Sequence, residues 1–243
     1  MSKRLAAVAA LVEPADTMAD VGCDHGYLSV YLVKQGRCRH MIAMDINKGP
    51  LQKAQENIQK YGCGDYIETR LSNGLNQLKR NEAEGFVCAG MGGPLALEIL
   101  WNDREKVKEM QQIILQPQSE LWLVRRTLKK WDFLIEKEDI AYEDGKYYFM
   151  MRIRPSKNLD MENLPQSEEF FVEDIQTTAY ELFAKELLDS QNELLRAYIR
   201  KEERRLRDIY TSLCSQADSE KCRMRKEAVE KELAVHQWAL DRY

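Results

Sequence analysis

The stretch ADVGCDHGYL, residues 19–28, decides the fold. It continues a short strand-like run, TMADVG, and leads into GYLSVYLVKQG, whose apolar residues recur at helical spacing. Strand, tight turn and helix in that order form the ligand-cradling corner of an open parallel sheet. The turn has the frame Asp20-x-Gly22-x-Asp24-x-Gly26. Dinucleotide-binding turns keep a glycine in the middle of such a frame, so that backbone amides at a helix N-terminus can meet a pyrophosphate. Here the middle holds Asp24, followed by His25. A carboxylate there repels phosphate and attracts a cation. At about 4 Å and an effective dielectric of about 20, opposite unit charges attract by about 4 kcal/mol before desolvation. The same carboxylate suits the first turn of the following helix as a cap, and the one role does not exclude the other.

Outward from this turn, residues 1–155 alternate strand-like and helix-like segments. HMIAMDI (40–46), YIETRLS (66–72), FVCAGM (86–91) and QIILQP (112–117) read as strands. KGPLQKAQENIQKYG (48–62), GLNQLKRNE (74–82) and GPLALEILWNDREKVKEM (93–110) read as helices. Such alternation with short connections specifies a mainly parallel, doubly wound α/β sheet. SELWLVRRTLKKWD (119–132) adds a helix opened by Ser119. FLIEKEDIAYEDGKYYFMMRIRP (133–155) then folds as an antiparallel hairpin about Glu143-Asp144-Gly145. A dinucleotide fold would continue with parallel units. A Rossmann-like sheet that ends in an antiparallel hairpin is instead the class I S-adenosylmethionine-dependent methyltransferase pattern. The N-terminal KRLAAVAALV stops at Glu13-Pro14 and reads as an amphipathic helix rather than a signal peptide.

The 243 residues are 44% hydrophobic and 31% charged, with a net charge of −4, which points to long exposed helices and to no general affinity for nucleic acid. Six cysteines without a C-x-x-C pair, and only three histidines, predict reduced thiols in a cytoplasmic protein and no metal site. No apolar run reaches the roughly 18–20 residues that span a bilayer, so no membrane partner is expected. Two domains are expected, a Rossmann-like domain over 1–158 and a helical arm over 159–243. From Glu168 onward there is neither glycine nor proline. Ile175, Ala179, Leu182, Leu187, Leu194, Tyr198, Leu206, Ile209 and Leu213 recur at helical spacing, which predicts two long helices in a coiled-coil hairpin. The break falls at 214–219, with Asp218 or Ser219 capping the second helix. Residues 196–207 carry six basic against two acidic residues, a local cationic face within an acidic chain. Such a run serves a solvated helix face as well as a nucleic-acid contact. A monomer is expected, with dimerisation through the arm as the alternative.

Ligands of open α/β sheets sit at the carboxyl ends of the strands, where four segments should converge. The first is the turn at Asp20–Gly26. The second is Asp45, whose carboxylate can accept hydrogen bonds from both ribose hydroxyls, with Ile46 beside it. The third is Ser72-Asn73-Gly74, able to read an adenine edge, and the fourth is Gly90-Met91-Gly92-Gly93, where glycines admit a planar ring. S-adenosylmethionine has no phosphate and carries two cationic groups, so Asp24 favours it over a dinucleotide.

At these residues DVGCDHGYL, AMDINKGPLQKAQENI, LSNGL, AGMGG and ILQPQ together resemble the bacterial tRNA (adenine-22-N1)-methyltransferase (TrmK) family. The resemblance implies a class I methyltransferase domain with an appended coiled-coil hairpin, and methylation of N1 of adenine 22 in the D-loop region of tRNA. It assigns Gly22, Asp24, Asp45 and Asn73 to S-adenosylmethionine and turns the Gly90–Gly93 loop toward the target base; Asp20, His25, Gly26, Tyr27, Ile46 and Gly90 complete the cofactor-binding candidates. Asp24, Gly90 and Met91 are the catalytic candidates. Arg4, Gly92, Gly93, Gln116, Pro117, Arg125 and Arg126 are the substrate-side candidates, the arginines through tRNA phosphates. No Asp/Asn-Pro-Pro-aromatic motif follows the fourth strand, which disfavours an exocyclic amine as the target. A small-molecule methyltransferase would share every cofactor feature, and a non-catalytic cofactor-binding interaction protein would share the arm. A dehydrogenase is disfavoured by Asp24 and by the hairpin.

Overall fold

The computed structural model describes residues 1–164, 170, 174–215 and 219–243. The chain divides into two compact units, Met1–Gln166 and Ser167–Tyr243.

The first unit is built on seven strands: β1 (Ala15–Val21), β2 (Cys38–Asp45), β3 (Ile67–Leu71), β4 (Gly85–Met91), β5 (Gln112–Pro117), β6 (Phe133–Glu143) and β7 (Lys146–Pro155). They form one sheet in the order β3-β2-β1-β4-β5-β7-β6. β1 to β5 pair in parallel, and β7 runs antiparallel between β5 and β6. The terminal hairpin of the sequence is therefore present, with its second strand inserted beside β5. β1 lies between β2 and β4, so the chain reverses its winding direction there, which is where an open sheet forms its ligand crevice.

Six helices cover the sheet: α1 (Lys3–Leu11), α2 (Tyr27–Lys34), α3 (Lys48–Lys60), α4 (Gly93–Asn102), α5 (Arg104–Val107) and α6 (Leu121–Lys130). Strands buried on both faces read as continuous apolar runs. Accordingly Met18, Met41, Val87 and Ile114 face a core shared with Leu11, Leu32 and Ile58, while Phe86, Ile113 and Leu115 face a second core with Leu97, Leu100 and Leu128. Full burial of a side chain such as Phe86, at 0% exposure, contributes about 2–3 kcal/mol. Leu159 and Leu164 also pack against the second core, with Met161 inside it, so the chain stays on this unit well past Pro155.

Three local expectations differ from the structure. Residues 74–82 form turns rather than a helix. Gly74 is left-handed at φ 56°, and Ser72 Oγ donates to the Gly74 carbonyl and accepts from the Gln77 N–H, a local network that competes with helix. The helix expected over 93–110 breaks at Asp103 into α4 and α5. Ser119 does not cap α6; Glu120 does, in the left-handed region at φ 46° with no side-chain bond, and Ser119 Oγ instead accepts from the Gly93 N–H at 3.3 Å.

The second unit holds α7 (Ile175–Phe183), α8 (Lys185–Asp189), α9 (Glu193–Cys214) and α10 (Glu220–Leu240). α9 and α10 make the expected long hairpin, and α7 packs on α10. The segment before α9 is not one helix, because Ala184 (φ 65°) and Gln191 (φ 51°) turn the chain. Leu195, Ile199 and Leu206 form the buried stripe of α9, one position on from the expected Leu194 and Tyr198. Ser219 Oγ caps α10 by accepting from the Cys222 N–H; Asp218, the other expected cap, lies outside the described residues.

Candidate active site

At the end of β1 the chain turns through three alternate left-handed residues, Gly22 (φ 72°), Asp24 (φ 49°) and Gly26 (φ 69°). The Gly22 and Cys23 amides both donate to the Met44 carbonyl, at 2.8 and 2.9 Å, which pins the turn to β2. Gly26 caps α2 through its backbone alone, and its amide donates to the Cys23 carbonyl at 2.7 Å. Asp24 therefore does not cap the helix. Its carboxylate is 71% exposed and lies 3.4 Å from His25 Nε2. The His25 ring lies nearly parallel to Tyr27, 4° between planes and 5.9 Å between centroids. Asn57 Nδ2 holds the His25 carbonyl at 2.9 Å.

Two further carboxylates stand behind this turn. Asp45, at the end of β2, is buried and accepts from the Asn47 N–H at 2.8 Å and the Asp24 N–H at 3.2 Å. Each oxygen keeps a second lone pair for a ligand hydroxyl. Asp20 is buried beneath the turn and accepts from Ser29 Oγ at 2.6 Å. Burial pushes its carboxyl up to about 6; the Ser29 hydrogen bond opposes that shift and the Asp45 charge adds to it. Ile46 is 59% exposed beside Asp45, and Asn73 is exposed at the end of β3.

From β4, Gly90 is left-handed (φ 86°) at an irregularity in its pairing with β5. The Met91 carbonyl accepts the Gln118 N–H at 2.8 Å, which leaves it one further lone pair. A Cβ on Gly22 would lie 2.4 Å from Met91 Cε, so the first glycine of the turn makes room for a side chain of this chain itself. A Cβ on Gly93 would meet the Ser119 carbonyl at 2.6 Å, which explains the second glycine of the Gly92-Gly93 pair as close packing.

These residues surround a cavity of about 340 Å³ lined by Asp20, Gly22, Asp24, His25, Tyr27, Gly90 and Met91, together with Arg4, Leu5 and Gln118. Asp45, Ile46 and Asn73 belong to the same carboxyl edge of the sheet but do not line it. A larger hollow, about 740 Å³, opens at the opposite edge, by Asp16, Arg37 and Cys38. Open sheets bind at the carboxyl ends of their strands, so the smaller cavity is the candidate site.

Among the substrate-side candidates the structure separates one arginine from two. Arg4 lines the cavity. Glu143 accepts from the Lys3 and Arg4 amides at 2.6 and 3.2 Å, Arg4 Nη1 donates to Gln116 Oε1 at 2.8 Å, and the guanidinium lies 5.7 Å from the Tyr148 ring centre. Gln116 is 1% exposed and Pro117 is buried, so they support Arg4 and the loop rather than present groups to a ligand. Arg125 and Arg126 are buried and out of reach of tRNA phosphates. Arg125 Nε donates to the buried Glu138 at 2.8 Å, and Arg126 stacks on Trp122 at 5.0 Å. Helical periodicity alone does not tell a basic face from a buried ion pair. Ser29 and the Met44 carbonyl escaped the sequence, because their roles appear only once the turn is folded.

Fold and site define a methyltransferase: residues 1–151 match the family model described as a methyltransferase domain, and the chain belongs to that family. Within it, the chain is similar to the tRNA (adenine(22)-N(1))-methyltransferase of Bacillus subtilis (strain 168), with 36% identity over 148 residues, 61% of this chain and 62% of that protein. The sequence match thus spans less than two thirds of that relative. The structure of the B. subtilis M1A22 tRNA methyltransferase TrmK is similar over 99% of both chains, at 26% identity and a TM-score of 0.83. That of M. capricolum TrmK in complex with S-adenosyl-homocysteine is similar over 100% of this chain and 98% of its own, at 27% identity and a TM-score of 0.79.

Proposed function

We propose that the protein transfers the methyl group of S-adenosylmethionine to N1 of adenine 22 in the D-loop region of tRNA, acting as a monomer in the cytoplasm. The observation that carries this is the extent of the likeness: it runs through the helical arm as well as the sheet, over 99% of both chains.

The donor set fits the cofactor. Asp20, Asp24 and Asp45 bring three carboxylates to one turn, and among the described residues Arg4 is the only lysine or arginine lining the cavity. When bound, S-adenosylmethionine supplies a methyl group on a cationic sulfur. Asp45 would accept its ribose hydroxyls, and Ile46 and Asn73 would meet its adenine face and edge. Asp20 and Asp24 would hold the cationic end, with Gly22, Gly26 and Gly90 admitting it close to backbone.

Adenine N1 has an in-plane lone pair and no proton to lose, so the site needs no general base. Alignment of the base contributes several kcal/mol. The methylated ring is cationic, and the exposed Asp24 carboxylate stabilises charge developing on it. N1 lies on the Watson–Crick edge, so the base must leave its stack, at a cost of a few kcal/mol. The His25–Tyr27 pair would offer it a stacking surface at the cavity. Arg4, which donates to Gln116, would meet the phosphate of the displaced nucleotide. Arg200 and Arg204, exposed on α9, would meet the tRNA backbone.

The test is transfer of a labelled methyl group to unmodified tRNA transcripts, with the label mapped by nuclease digestion. Label in 1-methyladenosine at position 22, lost when guanine replaces that adenine, is the expected result. Cofactor binding without labelling of any tRNA would sink the tRNA assignment and leave a smaller acceptor.

A further inference from the structure

Resting on that reading of the reaction, a second question is how the site recognises the base as adenine. The base offers two edges, and the Watson–Crick edge must stay free because N1 accepts the methyl group. Recognition then falls to the other edge, where adenine presents the N6 amino donor and the N7 acceptor. Matching that pair takes one acceptor and one donor at fixed spacing, which a side-chain carboxamide supplies and a carboxylate or guanidinium does not.

We propose that Gln118 reads the target adenine, its amide oxygen accepting from N6 and its amide nitrogen donating to N7. Gln118 lies just past the carboxyl end of β5 and lines the cavity. Its backbone is fixed by the 2.8 Å bond from its N–H to the Met91 carbonyl. Its Nε2 stands 3.5 Å from the point where a Cβ on Gly90 would sit, with Arg4 Nη1 at 3.4 Å from the same point, so the amide lies against the glycine loop beside the Arg4 guanidinium. Among the described residues its side-chain amide has no hydrogen-bond partner. The neighbouring polar groups are engaged: Gln116 by Arg4 and the Pro117 carbonyl, and Ser119 Oγ by the Gly93 N–H. Guanine in the same pose would set its O6 acceptor against the amide oxygen, so one contact both selects adenine and leaves N1 exposed.

The experiment is a cycle between side chain and base atom. Single-turnover methyl transfer is measured for wild type, Gln118→Met and Gln118→Glu, on tRNA carrying adenosine or 7-deazaadenosine at position 22. A bidentate contact of this kind is worth about 10- to 100-fold in discrimination. Wild type should lose about 10-fold on 7-deazaadenosine, and Gln118→Met about 10- to 100-fold on adenosine with little further loss on 7-deazaadenosine. Gln118→Glu keeps the acceptor for N6 but repels N7, so it should prefer 7-deazaadenosine, a reversal that a misfolded variant would not show. Affinity for S-adenosylmethionine should be the same in all three. Losses that multiply, or an unaltered Gln118→Met, would overturn the role of Gln118 while leaving the function intact. Failure of wild type on the natural transcript would instead remove the function itself, and Gln118 with it.

Discussion

Asp20 gives the sharpest quantitative test of the site. Its carboxyl is buried and is lifted from 3.8 to about 6, chiefly by burial. That gap corresponds to about 3 kcal/mol, at about 1.4 kcal/mol per pH unit, for holding the charge in the free protein at neutral pH. Between pH 3.8 and about 6 the folded state keeps a proton that the unfolded chain has released. This group therefore favours folding most below pH 4, and its contribution falls as pH rises to about 6. A cationic ligand reverses the preference, because it selects the ionised form. With that carboxyl at about 6, roughly one molecule in eleven is ionised at pH 5 and ten in eleven at pH 7. The apparent affinity for S-adenosylmethionine should then be about tenfold weaker at pH 5 than at pH 7. Calorimetry in buffers of different ionisation enthalpy would read both the affinity and about half a proton released per ligand bound at pH 6. Asp20→Asn should bind weakly with a much flatter profile and release fewer protons. If wild type and Asp20→Asn showed the same slope, Asp20 would not be the group that meets the cation.

Other expectations follow from single contacts. Gly22→Ala sets a side chain at φ 72° against Met91 Cε, so it should cost about 1–2 kcal/mol by chemical denaturation, and Met91→Ala should relieve the clash but not the backbone strain. Arg125→Met leaves Glu138 buried without its guanidinium, and a loss of about 3–5 kcal/mol should appear as a lowered melting temperature rather than as weaker tRNA binding. Asp24→Gly should raise stability by about 1 kcal/mol while lowering methyl transfer, read by melting and by single-turnover kinetics on one preparation. Of the six cysteines only Cys214 is exposed, so a thiol reagent at pH 7 should label one site rapidly in the folded protein.

How much of this was legible in the sequence differs by element. The strands were visible because a parallel sheet buried on both faces writes itself as unbroken apolar runs, and the hairpin because Asp144-Gly145 has a turn signature. Residues 74–82 misled because Leu75 and Leu78 are three apart, yet both anchor a turn, and the Ser72 bonds that hold it carry no periodicity. Arg125 and Arg126 misled for a related reason. Their charge suggested an exposed face, but the partner that buries Arg125, Glu138, comes from β6, and pairing of that kind is settled only in three dimensions. In the arm, periodicity gave the helices but not the register, since apolar residues at neighbouring positions of α9 compete for one buried stripe.

The Asp in the middle of the turn is the instructive case. At φ 49° that position favours glycine, and a side chain there costs about 1 kcal/mol. A cap on α2 would have offset the cost, but Gly26 caps that helix, and the Asp24 carboxylate faces solvent beside His25. Within the free protein, then, the strain is set against one 3.4 Å approach between an exposed carboxylate and a half-buried imidazole, which stabilises by little. Two left-handed glycines flank it, so the backbone would accept a third without rearrangement. What glycine cannot supply is charge. The side chain at 24 is a part of the turn for which the folded chain shows little use, and that is the physical reason to propose a cationic ligand for it rather than a role in the scaffold.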